Sequence, residues 1–194
     1  MSVVVLFSGG LDSTALLYQA LAEEQLHSAI WFRYAHPASP YEQRATAEIL
    51  RDLWKQGQQV KRVELSPPLF GSDAMSIGSG EAGPRVVAGR NQIMVSLGVN
   101  YAAAAGAEEV WLGASGGDQS DYPDCRPEFV WAMDTLAQAW GVRVRAPMID
   151  WTREQVRTRA RALGVPMGLV WSCYEPLPGG KPCGSCNSCQ QDAP

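Results

Sequence analysis

The sequence predicts an α/β fold, a doubly wound, mostly parallel, five-stranded sheet with helices on both faces. Short apolar runs typical of buried strands alternate along the chain with helical patterns, as they do in parallel sheets. The first apolar run leads through a small polar turn, SGGLDS, directly into a helix, a layout that holds phosphate at a helix N-terminus. A cysteine-rich segment near the C-terminus predicts a small metal-binding subdomain.

The predicted strands cover residues 3–7, 29–34, 60–65, 110–114 and 142–146. The predicted helices lie between and after them, at residues 13–24, 41–55, 91–105, 127–140 and 152–163. The last helix has the clearest boundaries, because Thr152 and Gln155 have the spacing of a capping box and Gly164 follows the final apolar position. Residues 66–88 are long for a connection and predict a lid or disordered flap over a site.

Composition favours a small-molecule enzyme. The chain has 194 residues, 46% of them hydrophobic, which suits one domain with a sizeable core. Its net charge of −4 would repel a nucleic-acid backbone, so no nucleic-acid partner is predicted. No apolar run approaches the roughly 18 residues of a membrane span, and the N-terminal run lacks the features of a signal peptide. We therefore expect no membrane association and a cytoplasmic, reducing location, where clustered cysteines indicate metal more often than disulfides.

The SGGLDS turn has the features of a phosphate-binding loop. Gly9 and Gly10 let the backbone approach an oxyanion, while Ser8 and Ser13 add hydroxyl donors. Asp12 suits a magnesium ion that bridges phosphates. It stands where a P-loop NTPase carries a lysine, so this loop belongs to a different chemistry. An ordinary strand-to-helix turn capped by serine or aspartate is the alternative that the two glycines alone leave open.

Two further segments are candidates for ligand contact. Arg90 and Asn91 stand at the start of an apolar helix, where they can reach a nucleotide phosphate; a helix cap beside a surface arginine is the alternative. The polar loop at residues 115–126 offers an aromatic face, acceptors for ring N–H groups and an arginine for a carboxylate, as a planar heterocycle requires; a merely solvated loop is the alternative. Its candidate residues are Asp121, Tyr122, Asp124, Cys125 and Arg126. Cys125 is not expected to be a nucleophile, because no histidine is near it in sequence.

Four of the five cysteines are predicted metal ligands: Cys173, Cys183, Cys186 and Cys189. Four thiolates suit a closed tetrahedral zinc site, and the C-x-x-C-x-x-C spacing supplies three of them from one turn. An iron–sulfur cluster or a redox set is the alternative. A closed site has no open position for catalysis, so we expect the metal to pin residues 169–194 as a subdomain on the main domain, residues 1–168.

The motifs together resemble one enzyme family. SGGLDS is similar to the signature of the PP-loop ATP pyrophosphatases, which cleave ATP between its α and β phosphates. With YEQR at residues 41–44, GRN at 89–91, DYPDCR at 121–126, APMIDWTREQ and the cysteines, the chain resembles the 7-cyano-7-deazaguanine (preQ0) synthase family. The resemblance implies an ATP site formed by Phe7, Ser8, Gly9, Gly10, Leu11, Asp12, Ser13, Thr14, Arg90 and Asn91. Asp12, Ser13 and Arg90 would be catalytic, and Gln43 and Arg44 would join the pocket loop in binding substrate.

The implied reaction converts 7-carboxy-7-deazaguanine and ammonia to 7-cyano-7-deazaguanine. ATP activates the carboxylate as an acyl adenylate, ammonia displaces AMP to give the amide, and a second ATP activates the amide oxygen before the nitrile forms. The implied cofactors are ATP, Mg²⁺ and Zn²⁺, and the family tends to form homodimers. Free ammonia is the expected nitrogen donor, because the chain has no room for a glutaminase domain.

Departures from the family pattern leave alternatives open. Ala45 stands where the family usually has a histidine, residues 35–40 form a proline-containing insertion, and other segments are short. These features are compatible with a variant that stops at 7-amido-7-deazaguanine. Another PP-loop adenylating enzyme, an amide synthetase or a tRNA thiolase, is a further alternative, although the acidic charge opposes RNA binding. A non-catalytic, zinc-stabilised nucleotide-binding module is opposed by Asp12 and the intact DYPDCR loop.

Overall fold

Five parallel strands form the single sheet, as the sequence predicted. The computed structural model describes residues 1–69, 87–120 and 122–191. The strands are β1 (Val3–Leu6), β2 (Leu26–Phe32), β3 (Arg62–Leu65), β4 (Glu109–Trp111) and β5 (Arg143–Arg145). Their order across the sheet is β3-β2-β1-β4-β5, so the chain winds outward in both directions from β1. Most of the lid predicted at residues 66–88 lies outside the described residues.

Helices follow the strands in the predicted places. They are α1 (Leu11–Ala22), α2 (Ser39–Lys55), α3 (Arg90–Ala105), α4 (Pro127–Ala137), α5 (Arg153–Ala162) and the short α6 (Asn187–Gln191). α1 begins two residues earlier than expected, because the backbone turns helical directly after Gly10. α4 ends earlier than expected, and a 3₁₀ turn at Gln138–Trp140 completes the segment. The sequence analysis did not predict α6.

The capping box at the start of α5 is confirmed. Gln155 N–H donates to the Thr152 hydroxyl, and Thr152 N–H donates to the Gln155 side chain. Gly164, with φ of 77°, follows the helix in the left-handed conformation that glycine adopts easily. The N-terminus of α5 is thereby fixed at the edge of the sheet where the strands end, which places Arg153 near the loops that follow β1 and β4.

The sheet is buried on both faces. Val4 and Leu6 of β1 pack on the side of α3 and α4, whereas Val3 and Val5 pack on the side of α1 and α5. Alternation along one strand therefore serves two separate cores, which explains why β1 reads as a continuous apolar run rather than an alternating one. In the part of the chain that the structure describes, no helix is both long and apolar enough to cross a bilayer.

Asp134 links α4 to β5 and provides a test of the fold. Its carboxylate accepts hydrogen bonds from Arg143 Nε at 2.9 Å, Arg143 Nη2 at 2.8 Å and Val144 N–H at 2.8 Å. The hydrogen bonds from Arg143 have the largest effect, and together with the bond from Val144 they hold the pKa of Asp134 below its ordinary value. We expect Asp134→Asn to lower the free energy of unfolding by about 1–3 kcal/mol at neutral pH, because one buried donor loses a charged acceptor.

The effect of Asp134→Asn should depend on pH in one direction. The folded pKa is lower than the unfolded pKa, so the carboxylate stabilises the fold fully above the unfolded value of about 3.9. This stabilisation is lost as the pH falls through the folded value, and the difference between wild type and variant should shrink there. Urea denaturation at pH 7 and at pH 3 measures both differences. Glu128→Gln, on an exposed position of the same helix, is the control; an equal loss of stability in the two variants would contradict the role of Asp134.

Candidate active site

A cavity lies at the carboxyl ends of β1 and β4, where the strand order reverses and where open α/β sheets bind ligands. The predicted site residues that line it are Phe7, Ser8, Gly10, Leu11, Asp12, Ser13, Arg90, Asn91, Tyr122 and Cys125. Gly9, Thr14, Gln43, Arg44, Asp124 and Arg126 lie outside its lining, and Asp121 lies outside the described residues. The predicted ATP loop and the predicted pocket loop therefore face one common space.

The loop between β1 and α1 is held by short internal contacts. Ser8 N–H donates to Ser13 Oγ at 3.2 Å, and the two serine hydroxyl oxygens lie 3.1 Å apart. Thr14 donates its hydroxyl to Gly10 O at 2.7 Å, so this side chain stabilises the turn from behind the cavity. Gly9, with φ of 83°, occupies the left-handed region that favours glycine. The backbone amides of the turn are thus fixed before any phosphate arrives.

Neighbouring elements leave no room for a side chain at Gly9 or at Gly113. A Cβ on Gly113, directly after β4, would lie 3.0 Å from Ser13 N. A Cβ on Gly9 would lie 3.0 Å from Ala45 Cβ on α2. From the third side, Trp171 N–H donates to Gly9 O at 3.0 Å. The loop is therefore clamped by β4, by α2 and by the segment that follows α5.

Arg153 forms an ion pair with Asp12 inside the cavity. Arg153 Nη1 donates to Asp12 Oδ2, and the two side chains are only 12% and 15% exposed. The second oxygen, Asp12 Oδ1, is buried and has no hydrogen-bond partner among the described residues. A buried carboxylate oxygen without a donor fits a cation such as Mg²⁺. The sequence analysis missed Arg153, whose position beside Asp12 depends on the strand order that brings β5 next to β4.

Arg90 lies at the first position of α3, after Gly89 with φ of 72°. Its Nη1 donates to the hydroxyl of Tyr34 at 3.4 Å. Burial alone would lower the pKa of Arg90, but the attraction of Tyr34, Tyr174 and Asp124 outweighs it and raises the pKa. The guanidinium therefore stays charged inside the cavity, where it can contact a phosphate or a carboxylate. Asp124, although outside the lining, acts on the site through this charge.

The pocket loop contributes fewer side chains than the sequence predicted. Tyr122 and Cys125 are buried in the cavity wall, whereas Arg126 is exposed and donates its Nε to Gln119 O at 2.9 Å. Burial and the nearby carboxylates of Asp118 and Asp124 raise the pKa of the Cys125 thiol to about 12. The thiol is therefore protonated at neutral pH, which agrees with the prediction that it is not a nucleophile.

Within the YEQR segment, residues 41–44, the side chain that faces the cavity was not among the predicted site residues. Gln43 and Arg44 are exposed, and Arg44 Nε donates to Glu48 Oε1 at 2.9 Å on the helix surface. Tyr41 stacks on Trp171, with ring centroids 4.6 Å apart. Glu42, which lies between Tyr41 and Gln43 in the sequence, lines the cavity. Residues 42–44 lie within α2, where successive side chains are rotated by about 100°, so position 42 faces the cavity while positions 43 and 44 face solvent.

The segment after α5 forms one wall of the cavity, a role that sequence reasoning missed. Its lining residues are Trp171, Ser172, Tyr174, Ser188 and Gln191. The Gln191 side-chain amide donates to Gly117 O and to Asp118 Oδ1, each at 3.2 Å. Burial raises the pKa of Tyr174 well above its ordinary value, so this hydroxyl remains protonated. This segment therefore contributes polar groups to the cavity as well as covering it.

The four predicted metal ligands converge. The sulfur atoms of Cys173, Cys183, Cys186 and Cys189 all lie within 4.8 Å of one another. The Cys173–Cys183 and Cys183–Cys189 sulfur separations are 3.6 and 3.9 Å. Four thiolates around one tetrahedral ion at about 2.3 Å stand roughly 3.8 Å apart. The cluster therefore has the dimensions of a site for a single metal ion.

Comparison with known protein families shows which family the chain belongs to. The family model described as "Queuosine biosynthesis protein QueC" matches residues 2–193. The chain belongs to the QueC family. This finding confirms the resemblance that the motifs indicated.

Curated QueC-like relatives match over nearly their whole length. The 7-cyano-7-deazaguanine synthase of Archaeoglobus fulgidus is 38% identical over 207 residues, which cover 97% of this chain and 83% of the relative. The enzymes of the same name from Caldicellulosiruptor bescii and Paramagnetospirillum magneticum are 35% and 32% identical. They cover 98% and 96% of this chain, and each alignment covers 90% of the relative.

Solved structures confirm the fold class of this QueC family member. NMN synthetase from Francisella tularensis superposes with a TM-score of 0.55 at 14% identity, over 89% of this chain and 65% of the other. The U34-tRNA thiolase NcsA from Methanococcus maripaludis, solved with its [4Fe-4S] cluster, superposes with a TM-score of 0.57 at 16% identity. That match covers 99% of this chain and 64% of the thiolase. At such identities the likeness shows the fold alone.

Proposed function

We propose that this chain converts 7-carboxy-7-deazaguanine and ammonia to 7-cyano-7-deazaguanine at the expense of ATP. The observation that carries the proposal is the family match over residues 2–193, whose curated relatives bear the name of that synthase. The site supports it, because an ordered anion-binding loop and an aromatic, polar pocket share one cavity. No observation favours the amide-terminating variant, the thiolase or the other amide synthetases.

The reaction proceeds by two adenylations. The substrate carboxylate attacks the α-phosphorus of ATP and pyrophosphate leaves; ammonia then displaces AMP and gives the amide. The amide oxygen attacks the α-phosphorus of a second ATP and pyrophosphate leaves; loss of AMP and of both amide N–H protons then leaves the nitrile. Each adenylation needs stabilisation of the charge that develops on pyrophosphate and on the α-phosphate. The amides and hydroxyls of the Ser8–Ser13 turn supply neutral donors for that purpose.

Two arginines supply the positive charge that the loop itself lacks. Arg153, at the N-terminus of α5, takes the place of the P-loop lysine and stabilises pyrophosphate as it leaves. Arg90, held by Tyr34, contacts the α-phosphate or the carboxylate that attacks it. Asp12 would hold the magnesium ion that accompanies ATP, because its Oδ1 is buried and lacks a donor among the described residues, and the ion would neutralise charge on the phosphates. Ser13 keeps the turn in shape through its bonds to Ser8.

Zinc is the metal that best suits the four cysteines. Their separations fit one ion with four thiolate ligands. A four-iron cluster would hold the thiolates farther apart, since each binds a different iron. With all four positions filled by protein, the ion has a structural role. The division into residues 1–168 and 169–194, a homodimer and a cytoplasmic location stay predictions of the sequence and the resemblance.

Product analysis tests the proposed function. The purified protein is incubated with ATP, Mg²⁺, ammonium and 7-carboxy-7-deazaguanine, with products followed by mass spectrometry and AMP release followed in parallel. We expect the nitrile and two AMP per product. Amide as the end point with one AMP would contradict nitrile formation, and an absence of substrate-dependent AMP would contradict the whole assignment. Omission of the deazapurine is the control for background ATP hydrolysis.

A further inference from the structure

A buried histidine stands behind the one YEQR side chain that faces the cavity. The side chain of His36 is 2% exposed, and its Nε2 lies 3.4 Å from Glu42 Oε2. Its ring stacks on Tyr34 with centroids 4.2 Å apart. Nε2 approaches the Glu42 carboxylate at ion-pair distance without the angles of a hydrogen bond, and Nδ1 has no hydrogen-bond partner among the described residues. A buried imidazole held by stacking against an aromatic ring, with a carboxylate beside it, suits proton handling better than packing alone.

This group is in contact with the reaction space. Glu42 and Tyr34 both line the cavity, and the side chain of Glu42 is 17% exposed. Tyr34 in turn accepts the hydrogen bond from Arg90, which lines the same wall. Among the described residues, Glu42 from α2 and Tyr34, two residues after β2, contact the His36 ring, and Arg90 from α3 lies behind Tyr34. Glu42 is the member that combines a negative charge with access to a ligand.

Other groups of the cavity are less suited to accept a proton. Among the described lining residues the carboxylates are Asp12, Glu42 and Asp118. Asp12 is paired with Arg153, and Asp118 accepts from the Gln191 amide. The Cys125 thiol is protonated, because burial raises its pKa to about 12. By elimination Glu42 is the best candidate for a general base.

We propose that Glu42 is the catalytic base that takes protons from nitrogen, and that His36 is a positioning residue that fixes the Glu42 carboxylate. The proposal rests on the proposed function. When ammonia attacks the acyl adenylate, the C–N bond forms, the C–O bond to AMP breaks and one proton must leave nitrogen; Glu42 Oε accepts it. In the second half-reaction the amide nitrogen loses both of its protons, one when the amide oxygen is adenylated and one when the C–O bond to AMP breaks and the nitrile forms. The same carboxylate accepts each proton in turn and releases it to solvent between the steps. Neither step requires an oxidant or a reductant.

Partial reactions separate this role from substrate binding. Adenylation alone is measured as pyrophosphate exchange into ATP that depends on 7-carboxy-7-deazaguanine, and it moves no proton from nitrogen. We expect Glu42→Gln to leave this exchange within about 3-fold of wild type while amide formation from ammonium falls by about 10²-fold, within the usual range for a general base. His36→Gln should lower the same step by about 10-fold. Asp52→Asn, far along the same helix, is the matched control and should match wild type.

Reaction with a second nucleophile separates the loss of a catalytic base from a loss of folded enzyme. Hydroxylamine is less basic and more nucleophilic than ammonia, so the N–H proton that its attack on the acyl adenylate releases passes to water without a catalytic base. We expect hydroxamate formation by Glu42→Gln and His36→Gln to stay within about 3-fold of wild type. If Glu42→Gln fails to fold, Glu42→Asp provides the same comparison. An equal loss with both nucleophiles, an equal loss of exchange, or no loss at all would overturn the role of Glu42. A wild-type protein without substrate-dependent exchange would overturn the proposed function, and this role with it.

Discussion

Asp12→Asn is expected to lower substrate-dependent AMP release by about 10³-fold. The substitution removes the charge that a magnesium ion on the buried Oδ1 requires, and it leaves Arg153 without its anionic partner in the cavity. Asparagine keeps the shape of the side chain and a neutral acceptor for Arg153, so the fold should persist. The decrease is measured from AMP and pyrophosphate release at saturating ATP over a range of Mg²⁺ concentrations.

The Mg²⁺ series distinguishes a role in catalysis from damage to the loop. If Asp12 serves the metal, the variant should need more Mg²⁺ and should retain a melting temperature within a few degrees of wild type. Glu23→Gln, at the other end of the same helical segment, removes an exposed carboxylate and should behave as wild type. Turnover by Asp12→Asn at the wild-type rate would show that the carboxylate has no part in ATP chemistry.

Removal of metal from the four-cysteine cluster is expected to abolish turnover together with the structure of the tail. Structural zinc in small sites contributes on the order of 10 kcal/mol to folding, more than a short, proline- and glycine-rich segment gains from packing. The effect should reach the ATP loop, because Trp171 Nε1 donates to Cys173 O at 2.9 Å and Trp171 N–H donates to Gly9 O. Elemental analysis, thermal unfolding and AMP release after treatment with a strong chelator measure the three consequences.

Variants of single cysteines complete the metal test. Cys183→Ser should lose bound zinc and lower the melting temperature, whereas Cys125→Ser should keep one zinc per chain, since Cys125 is not in the cluster. Iron and acid-labile sulfide in place of zinc would contradict the zinc assignment. A metal-free protein that remains fully folded and active would contradict a structural role for any ion.

Much of the fold was predictable because local signals agreed with the global arrangement. β1 is apolar at every position, as a strand buried on both faces must be, and its end is marked by two glycines. The Thr152 capping box and Gly164 bound α5 almost to the residue. Boundaries failed where the helix began on a glycine without a side-chain cap, as at the start of α1, and where a helix relaxed into a 3₁₀ turn, as after α4.

The site was predictable only in its contiguous parts. The predicted ATP loop is one continuous segment, so the resemblance of its motif was enough to name its residues. Arg153 and Tyr174 reach the cavity through the strand order and through the path of the tail, which no local pattern encodes. Glu42 was missed because the family resemblance pointed to Gln43 and Arg44, whereas rotation along α2 turns position 42 towards the cavity.

The close approach of Gly9 and Ala45 constrains how the loop can change in evolution. The position of a Cβ on residue 9 lies 3.0 Å from the Cβ of residue 45, and Ala45 is only 4% exposed, so both positions draw on one small volume. Residue 9 is therefore restricted twice, by its positive φ and by the wall that α2 forms beside it. A side chain at position 9 can appear only along a path in which changes elsewhere first move α2 away from the loop.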